Sequence, residues 1–202
     1  TPIKSSAASD VYKRQVSNTL IQCVRILSNS ADQKRSIDEI LQIICEFYQA
    51  QRCYVLDLDM DNKKTNGIYE YGKQYDDIHV ENMVRLCLEH MDLVNQFFEN
   101  QKSYYIDDVT NEISVTSPIY SSFIQQKIHS IIVVPFMDDK QINGVFAVDN
   151  PKQNYYQKDF LESLCFFIKT AMAREKEKAK LKNLSYVDSL TYAQNRNHFN
   201  EY

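Results

Sequence analysis

"IHSIIVVPFMDDKQINGVFAVDNP", residues 128–151, carries the strongest strand signals in the chain. An apolar run ends in the polar turn "DDKQ", and a second apolar run, "INGVFAVDNP", returns from that turn. Two apolar runs joined by a short polar turn predict an antiparallel β-hairpin. Gly144 inside the second run predicts either a bulge or the close approach of another backbone.

An earlier stretch, residues 52–72, has the same organisation. "RCYVLDLDMD" alternates in character, "DNKKTNG" follows as a turn, and "GIYEYG" returns, so we predict a second hairpin. Asp57, Asp59 and Asp61 can also be read as a metal-binding loop. The glycine and terminal glutamate of a calcium loop are missing from this stretch, so a solvated turn is the favoured interpretation.

Helical periodicity fills most of the remaining chain. Apolar residues recur at helical spacing in residues 16–28, 36–50, 78–99, 117–128 and 156–186. Ser36 and Glu39 have capping-box spacing, which predicts that the second helix begins at Ser36. Ser117 followed by Pro118 is typical of an N-cap and a first helical position. Helices that alternate with hairpins predict an α+β fold, with an antiparallel sheet flanked by helices and a long C-terminal helix.

The length and composition of the chain exclude several classes of protein. The chain has 202 residues, of which 44% are hydrophobic, and this length holds one sizeable core. Its net charge of −4 argues against a nucleic-acid partner, and its apolar runs are too short for a membrane span. The five cysteines stand singly, which is typical of buried reduced thiols in a cytoplasmic protein, although a redox or cofactor-attachment cysteine stays an alternative.

The three strand signatures "RCYVLDLD", "IHSIIVVPF" and "INGVFAVDNP", in this order of elements, resemble a GAF domain over roughly residues 19–172. The resemblance implies a sensory and dimerisation module with a small-molecule pocket walled by residues 66–72, 78–99 and 104–124. It places our pocket candidates at Tyr54, Glu70, Tyr105 and Asp149, with plain core packing as the alternative for each. The NKFDE signature of cyclic-nucleotide-binding GAF domains is absent, so the ligand stays unidentified.

No catalytic or phosphate-binding motif accompanies the resemblance to a GAF domain. The sequence contains no GxSxG, HExxH, P-loop, GxGxxG or paired CxxC motif, and only three glycines. His90 or His129 could ligate haem, but surface or capping histidines are the simpler interpretation. We therefore predict no catalytic residue, no metal site and no cofactor in these residues.

Residues 188–196, "DSLTYAQNR", resemble D-x-L-T-G-L-x-N-R, the opening of the GGDEF domain of bacterial diguanylate cyclases. The matching positions are Asp188, Leu190, Thr191, Asn195 and Arg196. Tyr192 stands where that pattern has glycine, and Ala193 where it has leucine. The resemblance implies an output domain that joins two GTP molecules into cyclic di-GMP. Its Mg and GTP would bind at a GG(D/E)EF loop further downstream.

The first 15 residues of the chain differ in character from the residues that follow them. Residues 1–15, which include "DVYKRQ", resemble translated sequencing adaptor. We therefore expect a non-native leader at 1–15, a GAF sensor domain at 16–172, a connecting helix at 173–186 and the start of a GGDEF domain at 187–202.

The expected partner is a second copy of the chain, docked in parallel through the 16–28 helix and the long C-terminal helix. An apolar stripe on the latter helix is the predicted seam: Leu161, Leu164, Ile168, Ala171 or Met172, and Ala179. Two other functions stay open. One is a ligand-free dimerisation scaffold; the other is a sensor for a different output domain, although a kinase would need a histidine between residues 156 and 186, where none exists. A methionine-sulfoxide-reductase type of GAF enzyme would need clustered cysteines, which the spacing does not offer.

Overall fold

The computed structural model describes residues 3–29, 32–59, 61–72, 80–98, 103–138 and 141–186. The strands of this part of the chain are β1 (Arg52–Asp59), β2 (Lys64–Gly72), β3 (Tyr104–Ile106), β4 (Ile131–Asp138) and β5 (Gln141–Asp149). They form one antiparallel sheet in the order β2-β1-β5-β4-β3. Both predicted hairpins are present, and they join along the β1–β5 ladder.

Helices cover both faces of the sheet. In chain order they are α1 (Ile3–Asn29), α2 (Gln33–Tyr48), α3 (Val80–Glu89), α4 (Met91–Phe98), α5 (Val109–Glu112), α6 (Pro118–Gln125) and α7 (Lys158–Tyr186). Helices α1, α2 and α7 pack on one face, and α3 to α6 pack on the other. The predicted α+β fold with a long C-terminal helix is confirmed.

Strand geometry divides the interior into two cores. On β1, Tyr54 and Leu56 face the core under α3 to α6, whereas Cys53 and Val55 face the core under α1, α2 and α7. Successive residues of a strand point to opposite faces of the sheet, so a central strand with helices on both sides is buried along nearly its whole length. The fold therefore offers two separate interiors, and a site in one of them can be coupled to the other only through the sheet.

The start of α2 and the division between α3 and α4 differ from the expectation. Helix α2 begins at Gln33 with Asp32 as its N-cap, whose side chain accepts a hydrogen bond from the Arg35 amide. The capping box predicted at Ser36 and Glu39 was wrong, because Ser36 lies inside the helix and its hydroxyl donates to the Asp32 carbonyl. Residues 78–99 were expected as one helix, but α3 and α4 are separate and His90 lies between them.

Helix α7 uses its apolar stripe inside its own domain. Leu161, Leu164, Ile168 and Met172 are buried in the core that α7 shares with α1 and α2. The expectation that this stripe forms a seam with a second copy was therefore wrong, since these side chains already pack within the chain. Beyond Met172 most of the described side chains of α7 are exposed.

Gly144 sits where the two hairpins meet. A Cβ atom at this position would lie 2.3 Å from the Leu56 carbonyl oxygen and 2.9 Å from Phe136 Cδ2. A register shift between Phe136 and Met137 accompanies it on β4. The close approach expected from the sequence is thus present, and only glycine allows β5 to pair with β1 at this distance.

Within the described ranges, no helix combines the length and the apolar character that a bilayer span requires.

Candidate functional site

A small apolar cavity lies in the core under α3, α4 and α6. Its volume is about 50 Å³. The side chains that line it are Tyr54, Leu56, Met83, Leu86, Cys87, Val94, Phe98, Ile119, Phe123, Ile131, Val133 and Val145. The strand residues reach it because they share one face of the sheet, and Met83, Leu86 and Cys87 reach it because their spacing places them on one side of α3.

The size and lining of this cavity limit what it can hold. A cavity of about 150 Å³ lined by leucine, isoleucine and phenylalanine stays dry and binds benzene. The cavity here is about one third of that volume and is likewise apolar in its described lining. In this conformation it therefore suits a small apolar group or no ligand at all, and a larger ligand would need α3, α4 or α6 to move.

A buried charged cluster lies on the same face of the sheet, at the end where β1 begins. Arg52 Nε donates a 2.8 Å hydrogen bond to Asp149 Oδ2, and Arg52 Nη2 donates a 3.2 Å hydrogen bond to Gln126 Oε1. The Arg52 side chain is 3% exposed, and its Nη1 lies 3.6 Å from Glu70 Oε1. The guanidinium also stacks over the ring of Tyr54, 5.2 Å from the ring centre. Tyr54 thus belongs to both the cluster and the cavity wall.

Burial dominates the electrostatics of this cluster. Burial raises the pKa of the Asp149 carboxyl to about 6, although Arg52 and the Tyr54 hydroxyl act in the opposite direction. Burial also raises the pKa of Tyr54 well above its usual value, so the phenol stays neutral. With Arg52 opposite two carboxylates, the ionised cluster carries one net negative charge, which protonation of Asp149 removes.

The structure places three of the four pocket candidates together. Tyr54 and Glu70 are cross-strand partners on β1 and β2, and Asp149 is the β5 partner of Arg52. Of these three residues, Tyr54 alone lines the cavity; Glu70 and Asp149 surround Arg52.

Tyr105 lies on the opposite face of the sheet. It packs against the core of α1, α2 and α7, and its ring stacks on Tyr155 with centres 5.6 Å apart. Its hydroxyl donates a 2.8 Å hydrogen bond to Asp107 Oδ1. The alternation along β3 therefore points Tyr105 away from the cavity.

The GGDEF-like residues Asp188, Leu190, Thr191, Asn195 and Arg196 lie outside the described residues.

Of the candidate haem ligands, His129 is exposed and His90 lies at the α3–α4 junction. Asp59 accepts hydrogen bonds from Asn62, as expected for a turn, and Asp57 pairs with Lys176 of α7. Among the residues that the structure describes, no group of three histidine, cysteine or acidic side chains is arranged to hold a metal ion.

Sequence reasoning missed Arg52 and Gln126, which complete the charged cluster. An arginine at the head of a strand that is otherwise apolar was the available signal, since a buried guanidinium needs a carboxylate partner. Asn150 was also missed. Its Oδ1 accepts hydrogen bonds from the amides of His129 and Ser130, and its Nδ2 donates to Gln51 Oε1, so it ties the loop before β4 to the start of β1.

Solved structures with this fold come from proteins of several functions. The GAF domain of an Acinetobacter phosphoenolpyruvate-protein phosphotransferase is 17% identical, with a TM-score of 0.56 over 82% of this chain and 98% of that one. The free methionine-R-sulfoxide reductase of Neisseria meningitidis, in complex with its substrate, is 13% identical, with a TM-score of 0.54 over 81% of this chain and 91% of that one. The chromophore-binding domain of a bacteriophytochrome from R. palustris is 11% identical, with a TM-score of 0.60 over 82% of this chain and 63% of that one. At these identities the likeness shows the fold.

No curated protein matches the chain at a significant level. The family model of the GAF domain, however, matches residues 30–173. The chain therefore belongs to the GAF domain family. It is a sensory or regulatory module, in agreement with its fold of a sheet with a cavity on one face and a long terminal helix on the other.

Proposed function

We propose that this GAF domain regulates a bacterial diguanylate cyclase, with α7 as the connection between the sensor and the enzyme. The observation that carries the proposal is the course of α7. The helix packs on the sheet as far as Met172 and continues to Tyr186, immediately before the D-x-L-T…N-R pattern that begins at Asp188. The catalytic loop, Mg and GTP would belong to the domain that this pattern opens.

Contacts between α7 and the sheet supply a route for the signal. Lys176 Nζ lies 2.7 Å from Asp57 Oδ2 on β1, and Lys169 Nζ donates a hydrogen bond to the Met137 carbonyl oxygen on β4. Both strands also contribute side chains to the cavity wall on the other face. A change in the cavity that shifts β1 or β4 would thus change the packing of α7 and the fraction of time that two output domains meet.

A second copy of the chain is the proposed partner, because two catalytic domains must face each other to join two GTP molecules. The seam cannot use the buried stripe of α7. Large apolar side chains are nevertheless exposed on the terminal helices: Phe166 is 66% exposed, Leu181 67% and Ile21 49%. Phe166 borders a groove of about 270 Å³ between α7 and β4, where Met137 is also exposed. These side chains are the proposed dimer contacts.

Analytical ultracentrifugation tests the dimer. Phe166→Glu and Leu181→Glu should each weaken self-association by at least about tenfold, because a charge would be buried in the seam. Val115→Glu is the matched control, since Val115 is equally exposed but follows α5 on the other side of the sheet. A wild-type chain that stays monomeric at high micromolar concentration, or a control variant that dissociates as strongly, would contradict the proposed contacts.

Extending the gene tests the proposal that the output domain is a diguanylate cyclase. Reading the coding sequence past Tyr202 should reveal a GG(D/E)EF motif within roughly the next hundred residues, the size of one domain. The extended protein should convert GTP to cyclic di-GMP in the presence of Mg. Another domain at that position would overturn the assignment of the output.

A ligand-free scaffold is the second candidate function, and the small cavity favours it. Thermal-shift measurements with nucleotides, bilins and small aromatic metabolites separate the two functions. A sensor should be stabilised by one of these ligands, and Val94→Leu, which fills part of the cavity, should abolish that shift. A scaffold should show no ligand-dependent shift while it still forms the dimer.

A further inference from the structure

We propose that Asn66 is a site of spontaneous deamidation, where a side-chain amide becomes a carboxylate beside the contact between the sheet and α7. Asn66 is exposed on β2, an edge strand of the sheet, and Gly67 follows it. The register of β2 with β1 runs from Gly67 directly to Thr65, so Asn66 is the extra residue of a β-bulge. A bulged residue at the edge of a sheet is less constrained than a residue within the ladder, and its backbone can rearrange.

The reaction needs only the Asn66 side chain, the following backbone amide and water. The Gly67 nitrogen loses its proton to solvent and attacks Cγ of Asn66, the Cγ–Nδ2 bond breaks, and ammonia leaves with a proton from solvent. Water then opens the five-membered succinimide at either carbonyl carbon, which gains the hydroxyl group, while the proton returns to the Gly67 nitrogen. The product is aspartate or isoaspartate, and no oxidation or reduction takes place. Glycine favours the attack because it has no Cβ to hinder its nitrogen.

The chain contains two Asn-Gly steps, Asn66–Gly67 on β2 and Asn143–Gly144 on β5. Strand β5 is paired with β1 on one side and with β4 on the other, whereas β2 lies at the edge. A Cβ at Gly144 would lie 2.3 Å from a backbone oxygen, but the nearest atom to a Cβ at Gly67 belongs to a side chain, at 3.3 Å. The succinimide therefore has room to form at Asn66, and Asn143 is the internal control.

Deamidation changes the charge where α7 meets the sheet. Asn66 Nδ2 and Lys176 Nζ both donate to Asp57 Oδ1, at 3.3 and 3.0 Å. Gly67 and Gly144 are the cross-strand neighbours of Asp57, and their lack of side chains leaves its carboxylate open to Lys176. A carboxylate at residue 66 gives Lys176 a second anionic partner, so the exposed half of α7 should be held more tightly to β1. This inference does not depend on the proposed output domain, because its chemistry lies wholly within these residues.

Peptide mapping by mass spectrometry tests the site on the whole 202-residue chain after incubation in mildly alkaline buffer. The peptide that contains Asn66 should convert to aspartate and isoaspartate forms at least about tenfold faster than the peptide that contains Asn143, because the attack depends on local geometry. Gly67→Ala should slow the conversion, and Asn66→Gln should abolish it. Absence of conversion at Asn66 in folded wild-type protein, or equal conversion at Asn143, would overturn the proposal.

Amide hydrogen exchange in α7 beyond Met172 tests the consequence. Asn66→Asp supplies the new charge without the altered backbone of isoaspartate, and exchange should slow by up to about fivefold, as expected for an exposed ion pair. Asn66→Gln is the matched control and should leave exchange unchanged. Circular dichroism establishes that both variants are folded. Equal exchange rates in the two variants would overturn the link between residue 66 and α7.

Discussion

Arg52 and Asp149 face each other across the β1–β5 ladder, and Arg52 Nε lies 2.8 Å from Asp149 Oδ2. Both side chains are almost fully buried, at 3% and 2% exposure. A buried pair of this kind seldom adds stability compared with apolar residues, but removal of one partner leaves an uncompensated charge in the interior. The pair therefore makes the stability of the sheet sensitive both to pH and to single substitutions.

The first prediction concerns pH. The pKa of Asp149 is raised from 3.8 to about 6 in the folded protein, so the folded state binds this proton more tightly than the unfolded state. The contribution of Asp149 to the free energy of unfolding is thus fully present below about pH 4 and is lost as the pH rises through about 6. The expected loss is at most roughly 3 kcal/mol, at 1.36 kcal/mol per pKa unit.

Urea unfolding of the wild-type protein and of Asp149→Asn between pH 4.5 and 7.5 measures this contribution. The amide side chain of the variant does not titrate, so the difference in unfolding free energy between the two proteins should change with pH in the stated direction. A difference that is constant over this range, or that has the opposite slope, contradicts the assignment of the raised pKa to Asp149.

The second prediction concerns the cation of the same pair. Arg52→Met should lower the free energy of unfolding by about 3–5 kcal/mol at pH 7.5, because Asp149 would remain buried without a cation. The loss should be smaller at pH 5, where Asp149 can accept a proton. Glu70→Gln is the control, since Glu70 lies 3.6 Å from Arg52 and its side chain is partly exposed. Glu70→Gln should lower the free energy of unfolding by less than about 1 kcal/mol. Equal losses in the two variants would contradict the greater importance of Arg52 for stability.

The sheet and its helices could be predicted from the sequence because their signals are local. Apolar periodicity and polar turns placed both hairpins, and Ser117 with Pro118 placed the start of α6 correctly. The cap of α2 was misplaced because Asp32 and Ser36 are both good N-cap residues, and the choice between them depends on where α1 ends. Local sequence does not contain that information.

The candidate site was less predictable because it depends on pairing between distant strands. Arg52 and Asp149 become neighbours only through the register of β1 with β5, which a single sequence does not specify. Tyr104 and Tyr105 are adjacent tyrosines, and the face that each one occupies depends on the register of β3 with β4. The seam on α7 was misassigned for a related reason, since one apolar stripe suits a sheet as well as a second helix.

The third prediction tests the close approach at Gly144. Gly144→Ala should destabilise the fold by more than about 2 kcal/mol, because the new Cβ would press on the Leu56 carbonyl oxygen, which is part of the backbone and cannot rotate away. Gly67→Ala is the matched control on β2, where the nearest atom is Tyr69 Cε2 at 3.3 Å. It should cost under about 1 kcal/mol, since a side chain can move and alanine also restricts the unfolded chain. Denaturant unfolding compares the two, and a tolerated Gly144→Ala would show that the hairpins can separate locally.

The fourth prediction tests the cavity by adding one methylene group. Val94→Leu places it in the cavity from α4 and should raise the free energy of unfolding by up to about 1 kcal/mol, because apolar surface is buried without a clash. Val109→Leu is the control. Val109 is a fully buried helical valine outside the cavity lining, and its extra methylene should cost roughly 1–3 kcal/mol. If both variants lose stability, the space beside Val94 does not accept an extra methylene group, and the cavity is smaller than about 50 Å³.

The last prediction concerns the link between the sheet and the exposed half of α7. Lys176→Met removes the contact with Asp57, and because the Lys176 side chain is 56% exposed, global stability should fall by less than about 1 kcal/mol. Amide hydrogen exchange in α7 beyond Met172 should nevertheless become faster, since Lys176 ties this part of the helix to β1. Lys178→Met is the matched control, as Lys178 pairs only loosely with Glu175 of the same helix, at 3.6 Å. Exchange that rises equally in both variants would mean that helix charge alone determines the mobility of α7, and that the Asp57 contact carries no signal from the sheet.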